Sequence, residues 1–297
     1  MGESCRRFSE AVQVDLDALN RRRVEAMTLP TRIVSTLVSN RLIRRFMVRL
    51  SFLIGFLGAK IRLNPTVEIS LKPFGVDAKF RIQLLRRDLP SLVEVFVNHV
   101  YDRFCIIGLG DVIVDCGAYI GEFTIYASRK VGNSGLVLAF EPNADSFNLC
   151  IRNIGANRIR NATVFNTGLG REEGTAYMGI DESNPGGSKI IWRSEERGTP
   201  RVAVRTLTQF SNHMQGRVIK LLKIDTEGSA VDIVNGAAAL FEKRLVQNVA
   251  AEIHPGELNL ERLLGLYGFV CSRLGAYLYA SLWESQRWPP CTDELKT

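Results

Sequence analysis

The 297-residue chain has only three histidines, at 99, 213 and 254, and they are scattered. Its six cysteines (5, 105, 116, 150, 271 and 291) contain no CxxC pair and no regular spacing. Together these scarcities argue against a structural zinc site, which needs four clustered nitrogen or sulfur ligands. Cys116 and Cys271 lie in apolar, strand-like runs and read as small core residues rather than redox centres. Unpaired cysteines also suit a reducing, cytoplasmic compartment. No apolar run is long enough to cross a bilayer without interruption by arginine. The first 30 residues are polar and charged, so no secretory signal is expected. Internal repeats and low-complexity tracts are also missing, which leaves an ordinary globular protein with 46% apolar and 23% charged residues.

The formal charge of +7 is unevenly placed. Residues 1–65 hold 12 Lys/Arg against 5 Asp/Glu, and the remainder holds 26 of each sign. The neutral remainder, and the lack of aromatics interleaved with the arginines, make nucleic acid an unlikely partner. Residues 9–28 and 31–58 read as amphipathic helices separated by Pro30. In the second, at 100° per residue, Arg41, Arg44, Arg45 and Arg49 gather on one side. Leu42, Phe46, Leu50 and Leu53 gather opposite. Such a helix caps a neighbouring domain with its apolar face or lies on the inner membrane surface with arginines toward headgroups. Residues 66–72 and 76–84 predict a hairpin around Pro73-Phe74-Gly75, and 90–104 a helix carrying His99 and Tyr101. Residues 1–104 are therefore expected to form a helical extension with a hairpin, and 105–297 the main domain.

From residue 110 the pattern becomes α/β. Strands are expected at 111–116, 136–140, 162–167, 201–205, 218–224 and 246–252, with helices at 121–130, 143–156, 206–214, 229–241 and 256–266. A Gly-, Ser- and Glu-rich stretch, 168–200, interrupts the alternation, and 268–281 reads as two strands joined at Gly275. This predicts a doubly wound, mostly parallel sheet whose last strand is antiparallel.

The organising stretch is Val112-Ile113-Val114-Asp115-Cys116-Gly117-Ala118-Tyr119-Ile120-Gly121. A β-branched strand ends in an acid and feeds a glycine loop and a helix start, the layout of a nucleotide pocket. A dinucleotide fingerprint would need another glycine where Tyr119 stands, so NAD is disfavoured and a nucleoside without pyrophosphate, S-adenosylmethionine, is favoured. Ligands in open α/β sheets bind at the carboxyl ends of strands. There, Phe140-Glu141-Pro142-Asn143 places a carboxylate 26 positions after Asp115, suited to ribose hydroxyls or to a helix N-terminus. Lys223-Ile224-Asp225-Thr226-Glu227-Gly228 ends the fourth strand. Asp225 is a candidate to touch cofactor and acceptor, or to pair with Lys223 in a buried ion pair. Glu252 and His254 end the fifth strand, and a histidine beside a carboxylate is a candidate general base. Asp225, Glu227 and Glu252 could also hold Mg²⁺ through oxygen ligands.

These motifs, in this order and spacing, resemble the FkbM family of S-adenosylmethionine-dependent methyltransferases over about 112–270. The resemblance implies the class I methyltransferase (Rossmann-like) fold. It also implies O-methylation of hydroxyls on sugars, glycolipids or natural products. Asp115, Gly117 and Gly121 would then line the methionine end of the cofactor, with Tyr119 contacting it by backbone. Glu141 would hold the ribose, adenine would lie near Gly168, and Asn143 and Asp225 would be cofactor contacts as well. Asp225, Glu227 and His254 would be the catalytic candidates. Three positions depart from the family pattern: Tyr119 where many members have Asn, Thr208 where a Leu-Asp pair is usual after Thr206, and Ala230 where Glu is usual. The two vacant acids point to an altered acceptor or a weakened catalytic apparatus, so a cofactor-binding module without turnover is the rival reading.

Overall fold

A computed structural model of the chain describes residues 66–71, 77–83, 88–179, 187–192 and 199–282. The two amphipathic helices expected at 9–28 and 31–58 lie outside the described residues. Among the described helices none is long and apolar enough to cross a membrane.

The chain opens with an antiparallel hairpin, β1 (Thr66–Ser70) and β2 (Lys79–Gln83), followed by α1 (Asp88–Phe96). Then come β3 (Val112–Cys116), α2 (Glu122–Val131), β4 (Leu136–Phe140), α3 (Ala144–Ala156) and β5 (Ala162–Phe165). The stretch after β5 is a small sheet: β6 (Gly168–Leu169), β7 (Gly174–Gly179), β8 (Lys189–Ile191) and β9 (Arg201–Arg205). A 3₁₀ helix at Leu207–Met214 leads to β10 (Ile219–Ile224), α4 (Ala230–Gly236) and α5 (Ala238–Glu242). The described chain ends with β11 (Asn248–Glu252), α6 (Leu260–Leu266), β12 (Phe269–Leu274) and β13 (Tyr277–Leu282).

Seven strands form the central sheet in the order β12-β13-β11-β10-β3-β4-β5. β13 alone runs against its neighbours, as the hairpin at Gly275 led one to expect. β3 and β4 are buried on both faces, which is why they read as continuous apolar runs rather than alternating ones. Below the site edge the sheet packs Val114, Leu138, Leu222 and Val249 against α4, α5 and α6 on one face. On the other it packs Ile113, Val137 and Leu221 against α1, α2 and Tyr101. Strand order reverses at β3, which has β10 on one side and β4 on the other. A crevice opens there beyond the strand ends.

Several local features decide which residues reach that crevice. The helix expected over 90–104 stops at Phe96, because His99 takes a left-handed φ of 49° and turns the chain back toward the sheet. Asn143 caps α3 by accepting from the backbone N–H groups of Asp145 and Ser146. Asn153 and Asn157, four apart on α3, grip β2. Their side chains pair with the backbone of Arg81 and Lys79 as another strand would. The helix expected over 229–241 is two short ones. Gly236 lies so close to Gly170 that a Cβ there would sit 2.0 Å from the Gly170 oxygen, and the first helix ends at that contact. The helix expected from 256 begins only at Leu260, because Glu257 turns inward to other partners.

Candidate active site

The crevice is a cavity of about 300 Å³ lined by strand ends, the glycine loop, α1 and the small sheet. One end is formed by Thr167, Gly168, Leu169, Met178 and Ile190, a mostly apolar slot beside Phe140. Glu141 stands in the middle. Its Oε2 accepts from the Tyr119 N–H and its Oε1 from the Asn143 N–H, both at 2.8 Å. Two lone pairs remain for a diol. Burial raises its pKa to about 7, against the opposing pull of those two N–H groups.

The other end gathers charge. Gly117, Asp225, Thr226, Glu227 and Glu252 form one side, and Ser91, Glu94 and Glu122 the other. Gly117 has φ 81°, and a Cβ on it would fall 1.8 Å from the Asp225 oxygen, so only glycine lets the two strand ends meet. Tyr119 occupies the left-handed region at φ 48°, uncommon for a bulky residue and easier for Asn. Its hydroxyl donates to Asp88 at 2.5 Å, which anchors the ring on α1 and away from the loop's concave side.

Behind the wall lies a buried ion pair. Strand register sets Lys223 opposite Asp115, and the Lys223 Nζ is 3.0 Å from Asp115 Oδ1 and 3.9 Å from Asp225 Oδ2. The ammonium also donates to the Gly117 carbonyl at 2.5 Å, and Thr124 donates to the second Asp115 oxygen at 2.6 Å. Lys223 therefore pairs with Asp115 first and Asp225 second. Burial opposes its charge, but Asp115, Asp225 and Glu122 outweigh burial and raise its pKa. Asp225 is fixed from outside by the Tyr101 hydroxyl, which donates to Oδ2 at 2.6 Å, while Lys223 sits over the Tyr101 ring.

Three more carboxyls are shifted far above the ordinary carboxylate range. Burial, then the charge of Asp225, raises Glu94 to about 7. Burial raises Glu122 to about 8, partly offset by Lys223. Burial, the charge of Asp225 and a hydrogen bond with it raise Glu252 to about 8. Six carboxyl groups line the cavity, and among the described residues the nearby cation Lys223 is already engaged behind it. Such a wall suits a positively charged ligand.

The structure brings Gly117, Tyr119, Glu141, Gly168, Asp225 and Glu227 onto the cavity lining. Asp115, Gly121 and Asn143 stand behind it. Asp115 holds Lys223, Gly121 packs where a Cβ would meet the Cys150 sulfur at 2.8 Å, and Asn143 caps α3. His254 lies past the end of β11 with its Nδ1 3.3 Å from Glu227 Oε2, and so reaches the cavity only through Glu227. The acidic position missing at Ala230 is served from elsewhere. Glu257, 3% exposed, accepts from the Ala230 N–H at 2.5 Å and the His254 N–H at 3.0 Å. Thr208 donates to the Gly236 carbonyl. Sequence reasoning missed Glu94, Glu122 and Glu257, and left Tyr101 without a role.

Asp225, Glu227 and His254 bring one ligand atom each within 4.8 Å of one another. Magnesium prefers an all-oxygen shell, whereas this trio offers an imidazole already facing Glu227, and Glu252 is not part of it. The donor set does not fit Mg²⁺.

The family model described as the methyltransferase FkbM domain matches residues 115–274, which is more than half of the chain. The chain belongs to the FkbM methyltransferase family. Methyltransferase 1 of Beauveria bassiana is 27% identical over 65% of this chain and 81% of its own length. Methyltransferase sdnD of Sordaria araneosa is 24% identical over 61% of this chain and 81% of its own. Among solved structures, a SAM-dependent O-methyltransferase from Thermotoga maritima is 15% identical, with 64% of each chain covered and a TM-score of 0.36. That likeness is too loose to bear on the acceptor. The strand order and single antiparallel strand are those of a class I methyltransferase, and the FkbM domain is S-adenosylmethionine-dependent. The cavity fits that cofactor: a slot for a base, a carboxylate for a diol and an acidic end for a sulfonium and an ammonium.

Proposed function

We propose that this FkbM methyltransferase transfers the methyl group to a hydroxyl of a sugar, glycolipid or natural product. The observation that carries the reading is Asp225, a carboxylate at the cavity end of β10, held by Tyr101 at 2.6 Å and sharing a hydrogen bond with Glu252. S-adenosylmethionine supplies an already activated methyl on a positive sulfur, so the protein's work is alignment and proton removal. Glu141 fixes the ribose, Gly117 and Tyr119 border the methionine arm, and Gly168 with Thr167 borders adenine. The acceptor oxygen approaches from the side of Asp225, Glu227 and Glu252. As its bond to the methyl carbon forms and the carbon–sulfur bond breaks, the hydroxyl proton passes to the Asp225–Glu252 pair. His254 and Glu257 position Glu227 from behind.

Glu257 also bears on the rival reading. A family acid is missing at Ala230, yet a carboxylate still reaches that backbone, which favours turnover over a silent binding module. Labelled-methyl transfer into fractionated extract tests the reading, with label expected in glycan, lipid or small-molecule fractions and removed by mild acid or base only where an ester forms. Label in RNA alone, or cofactor binding with no transfer to any fraction, would overturn it. Asp225→Asn should lower kcat by about 10²–10⁴, the usual range for a proton-transfer group, with cofactor affinity nearly kept. Equal loss of both would assign Asp225 to cofactor binding.

A further inference from the structure

On the reading of Asp225 as part of the proton-accepting pair, we propose that Tyr101 is a positioning residue for the methyl transfer. Its hydroxyl holds Asp225 in the orientation from which the carboxylate takes the acceptor's proton.

Backbone alone does not fix an aspartate at a strand end. The Asp225 side chain is 28% exposed at the cavity, and without a partner it would rotate between wells. Lys223 holds it weakly, since the ammonium is 3.0 Å from Asp115 but 3.9 Å from Asp225 Oδ2. The Tyr101 hydroxyl grips that same oxygen, donating at 2.6 Å. Burial, then the charge of Asp225, pushes the Tyr101 phenol well above its ordinary range, so it stays a donor across neutral pH. A base has to meet the substrate proton within hydrogen-bond reach, and a fixed partner removes the need to order the side chain during the reaction.

Tyr101 is itself held firmly, although it lies in a turn. The residue is 4% exposed, and its ring meets Phe123 and Tyr277 edge-on at 5.3 and 5.7 Å. Lys223 Nζ lies 5.0 Å from the ring centre. The residues on either side are tied down by two further tyrosines. Tyr279 donates to the Val100 carbonyl at 2.6 Å, and Tyr126 donates to Asp102 at 2.5 Å. His99, at its left-handed φ of 49°, makes the turn that brings this segment inward, a backbone cost the surrounding contacts sustain. These ties share one effect, which is to fix where the Tyr101 hydroxyl points. Tyr101 also lies before residue 115, outside the stretch matched to the family.

Tyr101→Phe removes the hydroxyl and keeps the ring. Lys223 on β10, Glu94 on α1, Glu252 on β11 and Tyr277 on β13 also face Asp225 and are unchanged in this variant. The first test is carbon NMR of isotope-labelled aspartate in the ligand-free protein, with the Asp225 signal identified by its loss in Asp225→Asn. Its titration midpoint should move up by about one pH unit in Tyr101→Phe, because a donor favouring the charged form is gone. The second uses labelled S-adenosylmethionine and the extract fraction that takes label from wild type. There kcat should fall by about 10- to 100-fold, with both KM values within about 3-fold of wild type. Tyr279→Phe keeps the Tyr101 hydroxyl but frees the Val100 carbonyl, so it should lower kcat by a smaller factor, and it serves if Tyr101→Phe does not fold. An unmoved Asp225 titration, or a wild-type kcat in either variant while Asp225→Asn is slow, overturns the role of Tyr101 and leaves Asp225 as the proton acceptor. If Asp225→Asn transfers methyl as fast as wild type, or no fraction takes label, Asp225 is not the proton acceptor and Tyr101 positions nothing in the reaction.

Discussion

Replacing Lys223 by methionine removes the cation that ties the ends of β3 and β10 together. Asp115 is fully buried and the Lys223 side chain is 4% exposed, so the variant leaves a carboxylate deep in the sheet with only the Thr124 hydroxyl as donor. Breaking a buried pair from one side costs about 3–5 kcal/mol, and the total stability of a domain is about 5–15 kcal/mol. Urea unfolding at pH 7 should therefore show Lys223→Met losing about a fifth or more of the folding free energy at unchanged m. The double variant Asp115→Asn/Lys223→Met, which leaves no charge to compensate, should recover most of the loss. In the wild type, burial opposes the charge of Lys223 but Asp115, Asp225 and Glu122 outweigh it and raise its pKa, so its contribution persists until strongly alkaline pH. A Lys223→Met protein within about 1 kcal/mol of wild type, or a double variant worse than the single, would refute the view that this charge is structurally indispensable.

Glu141→Gln keeps the shape but gives up the charged acceptor, and should weaken S-adenosylmethionine binding by about 10-fold in calorimetry, with kcat at saturation little changed. Glu257→Ala strips the acceptor from the Ala230 and His254 N–H groups and should cost about 2 kcal/mol in urea unfolding, with Glu257→Gln costing less. The carboxyls of Glu94, Glu122, Glu141 and Glu252 titrate at about 7 to 8 in the fold instead of 4.5. Raised folded values mean stability that is present below 4.5 and lost as pH climbs through 8, so the ligand-free protein should melt progressively lower from pH 5 to 8.5 by scanning calorimetry. Protection by the cationic cofactor should grow over the same interval. A flat melting profile would count against the burial of these four groups.

The architecture was legible because it is written in local signals. Alternating β-branched and helical runs with short connections leave few arrangements, and the hairpin at Gly275 forecast the reversed last strand. Gly117, Glu141 and Asp225 were legible for the same reason, since each sits at a strand end where α/β ligands bind. The partner of Lys223 was not. Alternation along one strand puts Lys223 beside Asp225, but the nearer partner, Asp115, comes from the register between β10 and β3, which no single-strand pattern records. Glu257 escaped notice because it sits in a polar turn and acts on an N–H 27 residues away. Glu122 stands in the first turn of α2, a place where an acid commonly complements the helix dipole, so its residue type alone marks nothing. Only the closure of α1 over it shows that it is buried. The 168–200 stretch looked irregular because its strands are short, with β6 and β7 pairing to β9 rather than to each other and only β7 and β8 paired as neighbours in sequence.

Much of the acidic end is built from residues that precede the family domain. Tyr119 departs from the family's Asn at a left-handed position, and its hydroxyl is tied to Asp88 on α1. Tyr101, just past α1, holds Asp225. Ser91 and Glu94, also on α1, face Glu122 across the cavity. Three different features of the catalytic motifs thus depend on one short segment, 88–101. Asparagine at position 119 would relieve the backbone but has no reach to Asp88, so the departure and the segment make sense only together. On the function proposed above, the motifs hold the methyl donor and the placement of α1 sets the width and charge of the acceptor side. Within this family, differences in acceptor should therefore track the sequence before residue 115 more closely than the motifs themselves, and exchanging 88–101 for the matching segment of another FkbM methyltransferase should change acceptor preference while S-adenosylmethionine affinity stays within about 10-fold.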